Sequence, residues 1–311
     1  MKDLPADPES AYRSAEERLL AGFGLTRTER MVSVPGEATS LHVIDIPGDA
    51  RVPVLLLHGM AAVTAAAIPL VPAFGGRRVI APDWPGHGLS GPATLAPADL
   101  RRAPVRWIDA VLDDAGLDRV HVVAHSMGAQ FALYAALARP ERFASLTILG
   151  APGAAFAGMR IPLGFRLMAV PGLRRAVFSP VSREQYEKNS ALTLGPGAVQ
   201  PWPRELVDCG WYASLRPEFR ETAPVLARAF ASSFGVRADA RLTPDELASL
   251  KVPVLAVLGD RDVFLTTAAT RASLDLIPGA ETVVVSGGHA PWLNRPEESA
   301  AAVGGFLADR R

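Results

Sequence analysis

Ser126 stands where a short apolar run ends and a longer apolar stretch begins, in the pentapeptide Ala124-His125-Ser126-Met127-Gly128. The run predicts a strand and the stretch predicts a helix. A serine in such a sharp strand–turn–helix connection projects its hydroxyl beyond the sheet, where it can act as a nucleophile. The turn needs small residues two positions either side; Gly128 is one, and Ala124 stands where glycine is more usual. The alternative is a serine that only caps an ordinary helix.

A serine hydroxyl is a weak nucleophile and needs a base, for which histidine is the usual choice. Of the six histidines, His289 follows an apolar run near the carboxyl end, in Gly287-Gly288-His289-Ala290-Pro291. The two glycines give its loop room to reach over the sheet edge. The other histidines occupy strand-like runs (His42, His121), turns (His58, His87) or the pentapeptide itself (His125). His289 is therefore the candidate base.

The base in turn needs a carboxylate that fixes its tautomer and stabilises the imidazolium ion. Gly259-Asp260-Arg261-Asp262 follows another apolar run and offers two aspartates. Asp262 lies further into the loop and is the preferred candidate. Asp260 is expected to brace the turn or to pair with Arg261.

Acyl chemistry at a serine also requires hydrogen-bond donors for the oxyanion that develops on the substrate. The backbone N–H after the nucleophile, that of Met127, is one candidate. The second candidate is the N–H of Met60, in His58-Gly59-Met60, which follows an early apolar run.

These residues follow apolar runs that must be strands of one sheet. The runs are continuous and not alternating, which is typical of parallel strands buried on both faces. They are Val52 to Leu57, Val79 to Ala81, Val120 to Ala124, Leu146 to Leu149, Val252 to Leu258 and Thr282 to Val285. Helical stretches connect them at Ala98 to Ala115, Met127 to Ala138, Thr267 to Leu276 and Glu297 to Ala308. With Arg30 to Val34 and Leu41 to Ile46 as an edge hairpin, the pattern predicts an α/β fold with a doubly wound, mostly parallel sheet.

Residues 151–242 break this alternation. Helical pieces are predicted there near Leu163 to Phe178, Arg183 to Ala191, Arg204 to Leu215 and Pro217 to Phe234, with no convincing buried strand. We interpret this segment as an inserted helical cap, and residues 1–150 and 243–311 as the core. Thr243-Pro244-Asp245-Glu246 marks the return to the core, because it has the form of a helix-capping box.

The cap and its surroundings supply the candidate substrate-binding residues. His125, Trp202, Trp211, Tyr212 and Trp292 are proposed to contact a small apolar acyl substrate. Other cap aromatics line the pocket or fill the interior of the cap: Phe156, Phe165, Phe178, Tyr186, Phe219 and Phe230. Arg160, Arg166, Arg174 and Arg175 either meet an anionic substrate or, as we expect, lie on the solvated surface.

Composition bounds the other possibilities. The 311 residues are 49% hydrophobic and carry no formal net charge, so neither nucleic acid nor an anionic membrane is favoured as a partner. The single cysteine, Cys209, excludes an internal disulfide framework. Met1 to Leu20 is charged and has no signal-peptide core, and no long apolar run suggests a membrane span, so the cytoplasm is the expected location. The oligomeric state is not predicted.

Taken together, these motifs resemble the α/β-hydrolase superfamily over nearly the whole chain outside the cap. His58-Gly59, the segment from Asp83 to Ser90, Ala124 to Gly128, Gly259 to Asp262 and Gly288-His289 occur in that family's order and rough spacing. The resemblance implies acyl transfer to water through an acyl-enzyme on Ser126, with no metal or organic cofactor. It also implies that Asp83 to Ser90 is a structural turn, so that His87 is not the base.

The resemblance leaves three functions open. A carboxylic-ester hydrolase acting on a small or medium apolar ester is the leading hypothesis. The same triad is similar to that of hydrolases that cleave a carbon–carbon bond in a vinylogous diketone, and to cofactor-free haloperoxidases. A serine nucleophile argues against the epoxide hydrolase and haloalkane dehalogenase branches, which use aspartate. The third hypothesis is a receptor-like protein of this fold that binds a ligand without turnover.

Overall fold

A computed structural model describes residues 4–160, 179–194, 203–232 and 235–310. Its strands are β1 (Thr28–Ser33), β2 (Ser40–Ile46), β3 (Ala50–Leu57), β4 (Arg77–Pro82), β5 (Val120–His125), β6 (Phe143–Leu149), β7 (Ala231–Ser232), β8 (Gly235–Val236), β9 (Val254–Gly259) and β10 (Glu281–Val285). In these residues, eight strands form one sheet in the order β1-β2-β4-β3-β5-β6-β9-β10. The pairs β1–β2 and β2–β4 are antiparallel and the others are parallel. The predicted fold class and edge hairpin are therefore confirmed.

Helices cover both faces of the sheet. They are α1 (Pro8–Gly22), α2 (Ala103–Asp114), α3 (Met127–Ala138), α4 (Arg183–Leu194), α5 (Arg204–Leu215), α6 (Pro217–Phe230), α7 (Pro244–Ala248), α8 (Thr267–Leu274), α9 (Pro291–Asn294) and α10 (Pro296–Ala308), with a 3₁₀ helix at Thr64–Phe74. None of the helices in the described part of the chain combines the length and apolarity needed to cross a membrane.

Two predicted helices are shorter by at least one turn than the sequence pattern suggested. The helix predicted from Ala98 begins at Ala103, because Pro104 lies in its first turn and has no N–H to continue a helix from upstream. The helix predicted to end at Phe234 ends at Phe230. Ala231 is already extended, with φ −134° and ψ 151°, and enters the short β7–β8 hairpin, which was not predicted.

Helix α1 is not among the predicted elements, although its start signal is present in the sequence. The Asp7 side chain accepts hydrogen bonds from the N–H groups of Glu9 and Ser10, and Pro8 occupies the first turn. The capping box predicted at Thr243 is confirmed. The Thr243 hydroxyl accepts from the Glu246 N–H at 3.2 Å, and the Glu246 carboxylate accepts from the Thr243 N–H at 2.8 Å.

The continuous apolar runs are explained by burial on both faces of the sheet. In β3, Leu55 and Leu57 belong to one hydrophobic cluster, whereas Val54 and Leu56 belong to a second cluster on the opposite face. Successive side chains of a strand point to opposite faces, so a strand covered on both sides must be apolar at every position.

The inserted segment packs into these same clusters. Leu206 and Cys209 of α5 belong to the cluster that contains Tyr12 of α1, and Leu226 and Phe230 of α6 belong to the other. The predicted helical piece near Leu163 to Phe178 lies outside the described residues. The division into core and cap stays a prediction.

The order of the strands determines where a site can form. The chain leaves β3 toward β4 on one side and leaves β5 toward β6 on the other, although β3 and β5 are neighbours. In open α/β sheets, ligands bind in the crevice beyond the carboxyl ends of strands at such a switch point. Ser126 follows β5 and His58 follows β3, so both lie beside this crevice.

The burial of His121 in the sheet predicts how the free energy of unfolding depends on pH. Burial in β5, together with the charge of Arg77, lowers the pKa of His121 to about 4. Because the unfolded chain protonates this histidine near pH 6.5, its contribution to the free energy of unfolding declines as the pH falls from about 6.5 to about 4. Urea titrations of the wild type and His121→Gln at about pH 7 and about pH 5 should show a smaller pH dependence in the variant. If the free energy of unfolding depended equally on pH in both proteins, His121 would not be a source of the acid sensitivity.

Candidate active site

Ser126 occupies the turn between β5 and α3 and has a strained backbone. Its φ of 52° and ψ of −116° lie in a region that residues other than glycine rarely adopt. The turn packs tightly on the end of β3, since a Cβ atom on Gly128 would stand 2.6 Å from the His58 carbonyl oxygen. Ala124 is fully buried and pairs with Leu57 and Ile148 in the neighbouring strands. Its methyl group is accommodated where a glycine was expected.

His289 follows β10 and reaches the serine. Its Nε2 atom lies 2.9 Å from the Ser126 hydroxyl oxygen. Its backbone is held from both sides, because its N–H donates to the Leu194 carbonyl at 2.8 Å and its carbonyl accepts from the His125 ring at 3.1 Å. The Phe264 ring packs against the imidazole with 4.5 Å between centroids. The base candidate is therefore fixed within hydrogen-bond reach of the nucleophile candidate.

Asp262 follows β9 and completes the chain of hydrogen bonds. Its Oδ2 atom lies 2.7 Å from Nδ1 of His289 and also accepts from the Ala151 N–H at 3.0 Å. Its Oδ1 atom accepts from the Phe264 N–H at 2.9 Å. Burial raises the pKa of Asp262, but His289 and the two backbone donors outweigh this and hold it below the usual value. Asp262 is therefore ionised at neutral pH.

Asp260 lies in the same loop as Asp262 but has a different environment. Its carboxylate accepts from the Gly287 N–H at 2.9 Å and from the Arg261 guanidinium at 3.3 Å. Its side chain is half exposed. It braces the turn and pairs with Arg261, whereas the carboxylate bonded to His289 is that of Asp262.

The two candidate oxyanion donors flank the serine. Met127 is the first residue of helix α3, whose N-terminal end favours negative charge. The loop with Met60 closely approaches the serine, because a Cβ atom on Gly59 would lie 3.0 Å from the Ser126 Cβ and 2.7 Å from the His125 ring. Within the described residues, neither the Met60 nor the Met127 N–H has a hydrogen-bond partner. Both N–H groups therefore stay candidates for the oxyanion donors.

The remaining histidines are engaged elsewhere. His42 bonds to Asp83 and Glu29, His121 to Ser145, and His58 to Trp84. Burial lowers the pKa of His125 well below its usual value, and the neighbouring His289 lowers it further. His125 therefore stays neutral and donates to the His289 backbone.

A cavity of about 770 Å³ opens over the serine, a size typical of small-molecule sites. Ser126, His289, Met60 and Met127 border it. Its other walls are mainly apolar and include Met159, Leu206, Phe219, Phe230, Val263, Phe264 and Leu293. No Asp, Glu, Lys or Arg occurs among the described residues that border it. Arg160 is exposed and is not one of them.

The five predicted substrate-binding residues are divided by the structure. His125 and Trp292 border the cavity, and the Trp292 N–H donates to the Ala66 carbonyl at 2.9 Å. Trp211 and Tyr212 do not border it, which corrects the expectation. The Trp211 N–H donates to the Val181 carbonyl, and its ring lies 5.0 Å from that of Tyr212. Trp202 lies outside the described residues.

Several lining residues were not singled out in advance. Val263 and Phe264 directly follow Asp262, so their position in the same loop was a usable signal. Leu206, Gly210 and Ser214 of α5 border the cavity at a spacing of four, which places them on one helix face. Among the described cap aromatics that the sequence analysis named, Tyr186, Phe219 and Phe230 border the cavity.

One cluster in the described part of the chain has the spacing of metal ligands, namely Glu16, Glu29 and His42. Arg27 already lies against it, with guanidinium nitrogens 3.0 Å from Glu16 and 2.9 Å from Glu29. The guanidinium supplies the positive charge that these carboxylates require, so we do not assign a metal there.

Comparison with known proteins gives concordant results. A family model described as "alpha/beta hydrolase fold" matches residues 52–296. A 2-hydroxymuconate semialdehyde hydrolase of Pseudomonas putida is 28% identical over 83% of this chain and 87% of its own length. A carboxylesterase structure from Bacillus subtilis has a TM-score of 0.76 at 21% identity, covering 97% of this chain and 99% of its own. The 2-hydroxy-6-oxo-6-phenylhexa-2,4-dienoate hydrolase of Rhodococcus has a TM-score of 0.73 at 24% identity, covering 92% and 99%.

Proposed function

Because the chain belongs to the alpha/beta hydrolase fold family, we propose that it is a serine hydrolase that cleaves a small or medium apolar carboxylic ester. The observation that carries this proposal is the chain of hydrogen bonds from Asp262 through His289 to Ser126, at 2.7 and 2.9 Å. This chain ends at an apolar cavity of suitable size. The candidate base is thus in contact with both the candidate nucleophile and the candidate orienting carboxylate.

The proposed reaction has two halves. In the first, Ser126 attacks the ester carbonyl while Nε2 of His289 takes its proton, and the Met60 and Met127 N–H groups stabilise the oxyanion. His289 then returns the proton to the departing alcohol, which leaves an acyl group on Ser126. In the second half, His289 deprotonates a water molecule that attacks the acyl group. This attack forms a tetrahedral intermediate. Its collapse releases the carboxylic acid, while His289 returns its proton to the Ser126 oxygen and restores the hydroxyl.

Asp262 acts through His289 and not on the substrate. The neutral imidazole must carry its proton on Nδ1 so that Nε2 can accept the serine proton. An ionised carboxylate 2.7 Å from Nδ1 selects that tautomer and stabilises the imidazolium ion that forms.

The inserted segment 151–242 is proposed to act as a lid over the core formed by residues 1–150 and 243–311. In support, residues of α4, α5 and α6 border the same cavity as Ser126. Because these helices form part of the apolar wall, the segment would contact the substrate and so help to select it.

The described part of the cavity lining carries no charged side chain, which favours a neutral ester over an anionic substrate. Burying a charge without a partner is costly, and the described cavity residues offer no guanidinium or ammonium group. Carbon–carbon bond cleavage is the second candidate. In its favour, the relative that matches 83% of the chain is a 2-hydroxymuconate semialdehyde hydrolase. The substrate in that name carries a carboxylate, for which the described lining provides no cationic partner.

A fluorophosphonate probe followed by peptide mass spectrometry tests the reaction class without knowledge of the substrate. We expect a single adduct on Ser126 that is lost in His289→Ala. An adduct on another serine, or none on the folded protein, would contradict the proposed nucleophile.

Two isosteric substrates test the preference for a neutral ester. p-Nitrophenyl isocaproate and p-nitrophenyl hemisuccinate have the same shape, but the second ends in a carboxylate. We expect kcat/KM to be about 100-fold higher for the neutral ester, because the carboxylate loses its hydration without gaining a cationic partner from the described lining residues. Equal or better turnover of the hemisuccinate would overturn this preference. Assay with 2-hydroxymuconate semialdehyde would then decide whether carbon–carbon cleavage is the true reaction.

A further inference from the structure

Ala61, which follows the proposed oxyanion donor Met60, has an unusual backbone conformation. Its φ is 57°, and among the described residues other than glycine only Ser126 shares a positive φ. The Ala62 N–H donates to the Gly59 carbonyl at 3.3 Å, so Ala61 is the third residue of a tight turn, where a positive φ favours glycine. An alanine stays in this conformation only when its surroundings hold it there.

The contact that holds Ala61 comes from a different turn, about 26 residues later in the chain. The Ala61 N–H donates to Nε2 of His87 at 3.2 Å. The other ring nitrogen, Nδ1, lies 3.0 Å from the Pro85 carbonyl, to which it donates its proton. One tautomer satisfies both bonds, with the proton on Nδ1 and the lone pair on Nε2.

The His87 ring is itself fixed on all sides. It is 1% exposed and lies 5.3 Å, centroid to centroid, from both His58 and Phe219. Burial, with a smaller contribution from the neighbouring His58, lowers the pKa of His87 to about 3, so Nε2 stays an acceptor throughout the neutral range. Phe219 belongs to α6 and borders the cavity.

We infer that His87 is a positioning residue, which holds the Gly59–Ala62 turn so that the Met60 N–H points at the developing oxyanion. The inference rests on the proposed function. His87 touches neither the substrate nor the reacting atoms; it acts through the peptide that joins Met60 to Ala61. Its loss should therefore weaken binding of the transition state more than binding of the ester.

Two amide variants separate the hydrogen bond from the packing of the ring. The side-chain oxygen of His87→Gln can reach the position of Nε2, whereas His87→Asn is one methylene group shorter and cannot. We expect His87→Asn to lower kcat on the neutral ester about 10- to 100-fold with KM within about threefold, a smaller loss than removal of a donor would cause. His87→Gln should stay within about fivefold of the wild type.

Inhibition by a pair of ketones identifies the oxyanion as the affected group. A trifluoromethyl ketone forms a tetrahedral adduct with an oxyanion, whereas the matching methyl ketone binds without reaction. His87→Asn should weaken the first by the same factor as kcat/KM and leave the second unchanged. Equal losses in Gln and Asn, equal weakening of both ketones, or unchanged kcat in His87→Asn would overturn the inference. A wild type that neither hydrolyses esters nor reacts with the fluorophosphonate would overturn the proposed function and, with it, the role of His87.

Discussion

Replacing Ser126 with alanine should lower kcat on a neutral ester by about 10⁴- to 10⁶-fold, the range found when a triad nucleophile is removed. The hydroxyl oxygen is 2.9 Å from Nε2 of His289, and no other group in the described cavity stands in the same relation to the base. The variant should fold normally, because the change removes one oxygen atom and no hydrogen-bond partner other than the base. The measurement is steady-state turnover with the fluorophosphonate reaction as a parallel readout.

Ser214→Ala is the matched control for this experiment. Ser214 also borders the cavity, but its hydroxyl donates to the Trp211 carbonyl at 2.6 Å within helix α5. Its loss should change kcat by no more than about threefold, since it contacts no reacting group. The comparison distinguishes loss of the nucleophile from a general change in the cavity.

The same variant separates an enzyme from a receptor-like protein. If Ser126→Ala binds a ligand as tightly as the wild type and no substrate is turned over by either protein, the receptor-like hypothesis gains support. Residual turnover at the wild-type rate would instead show that Ser126 is not the nucleophile. Neither result is expected, because the candidate base contacts this hydroxyl directly and is itself bonded to the candidate carboxylate.

The candidate triad could be found from sequence because its members are tied to the ends of strands. Ser126, Asp262 and His289 each follow an apolar run, and parallel strands bring those ends to one edge of the sheet. Local patterns such as Gly128 beside the serine and Gly288 before the histidine then mark the turns. Positions in the sequence were sufficient to identify these three residues, because the sheet topology brings the carboxyl ends of their strands together.

The lining of the cavity could not be found in this way. Leu206, Gly210 and Ser214 lie on the face of α5 that borders the cavity. Trp211 lies about 100° further around the helix than Gly210 and packs elsewhere. Which face of a helix meets the cavity depends on how the helix packs against α1 and the core, and the aromatic character of Trp211 says nothing about that. The contact between Ala61 and His87 is likewise tertiary, since it joins two turns that no local pattern connects.

Asp262→Asn should lower kcat about 10⁴-fold, as replacement of the triad carboxylate does in comparable sites. The Asp262 carboxylate accepts from three donors, namely Nδ1–H of His289 and the N–H groups of Ala151 and Phe264. An asparagine amide has one acceptor oxygen, so in either orientation its NH₂ group faces a backbone donor or the imidazole. It also lacks the negative charge that stabilises the imidazolium ion.

Asp260→Asn is the matched control, two positions earlier in the same loop. Its carboxylate braces Gly287 and pairs with Arg261, so the change should cost less than about tenfold in kcat. The two variants differ only in which aspartate loses its charge. A larger loss in Asp260→Asn than in Asp262→Asn would show that the wrong carboxylate has been assigned to His289. A loss below about tenfold in Asp262→Asn would mean that His289 does not depend on a carboxylate for its tautomer.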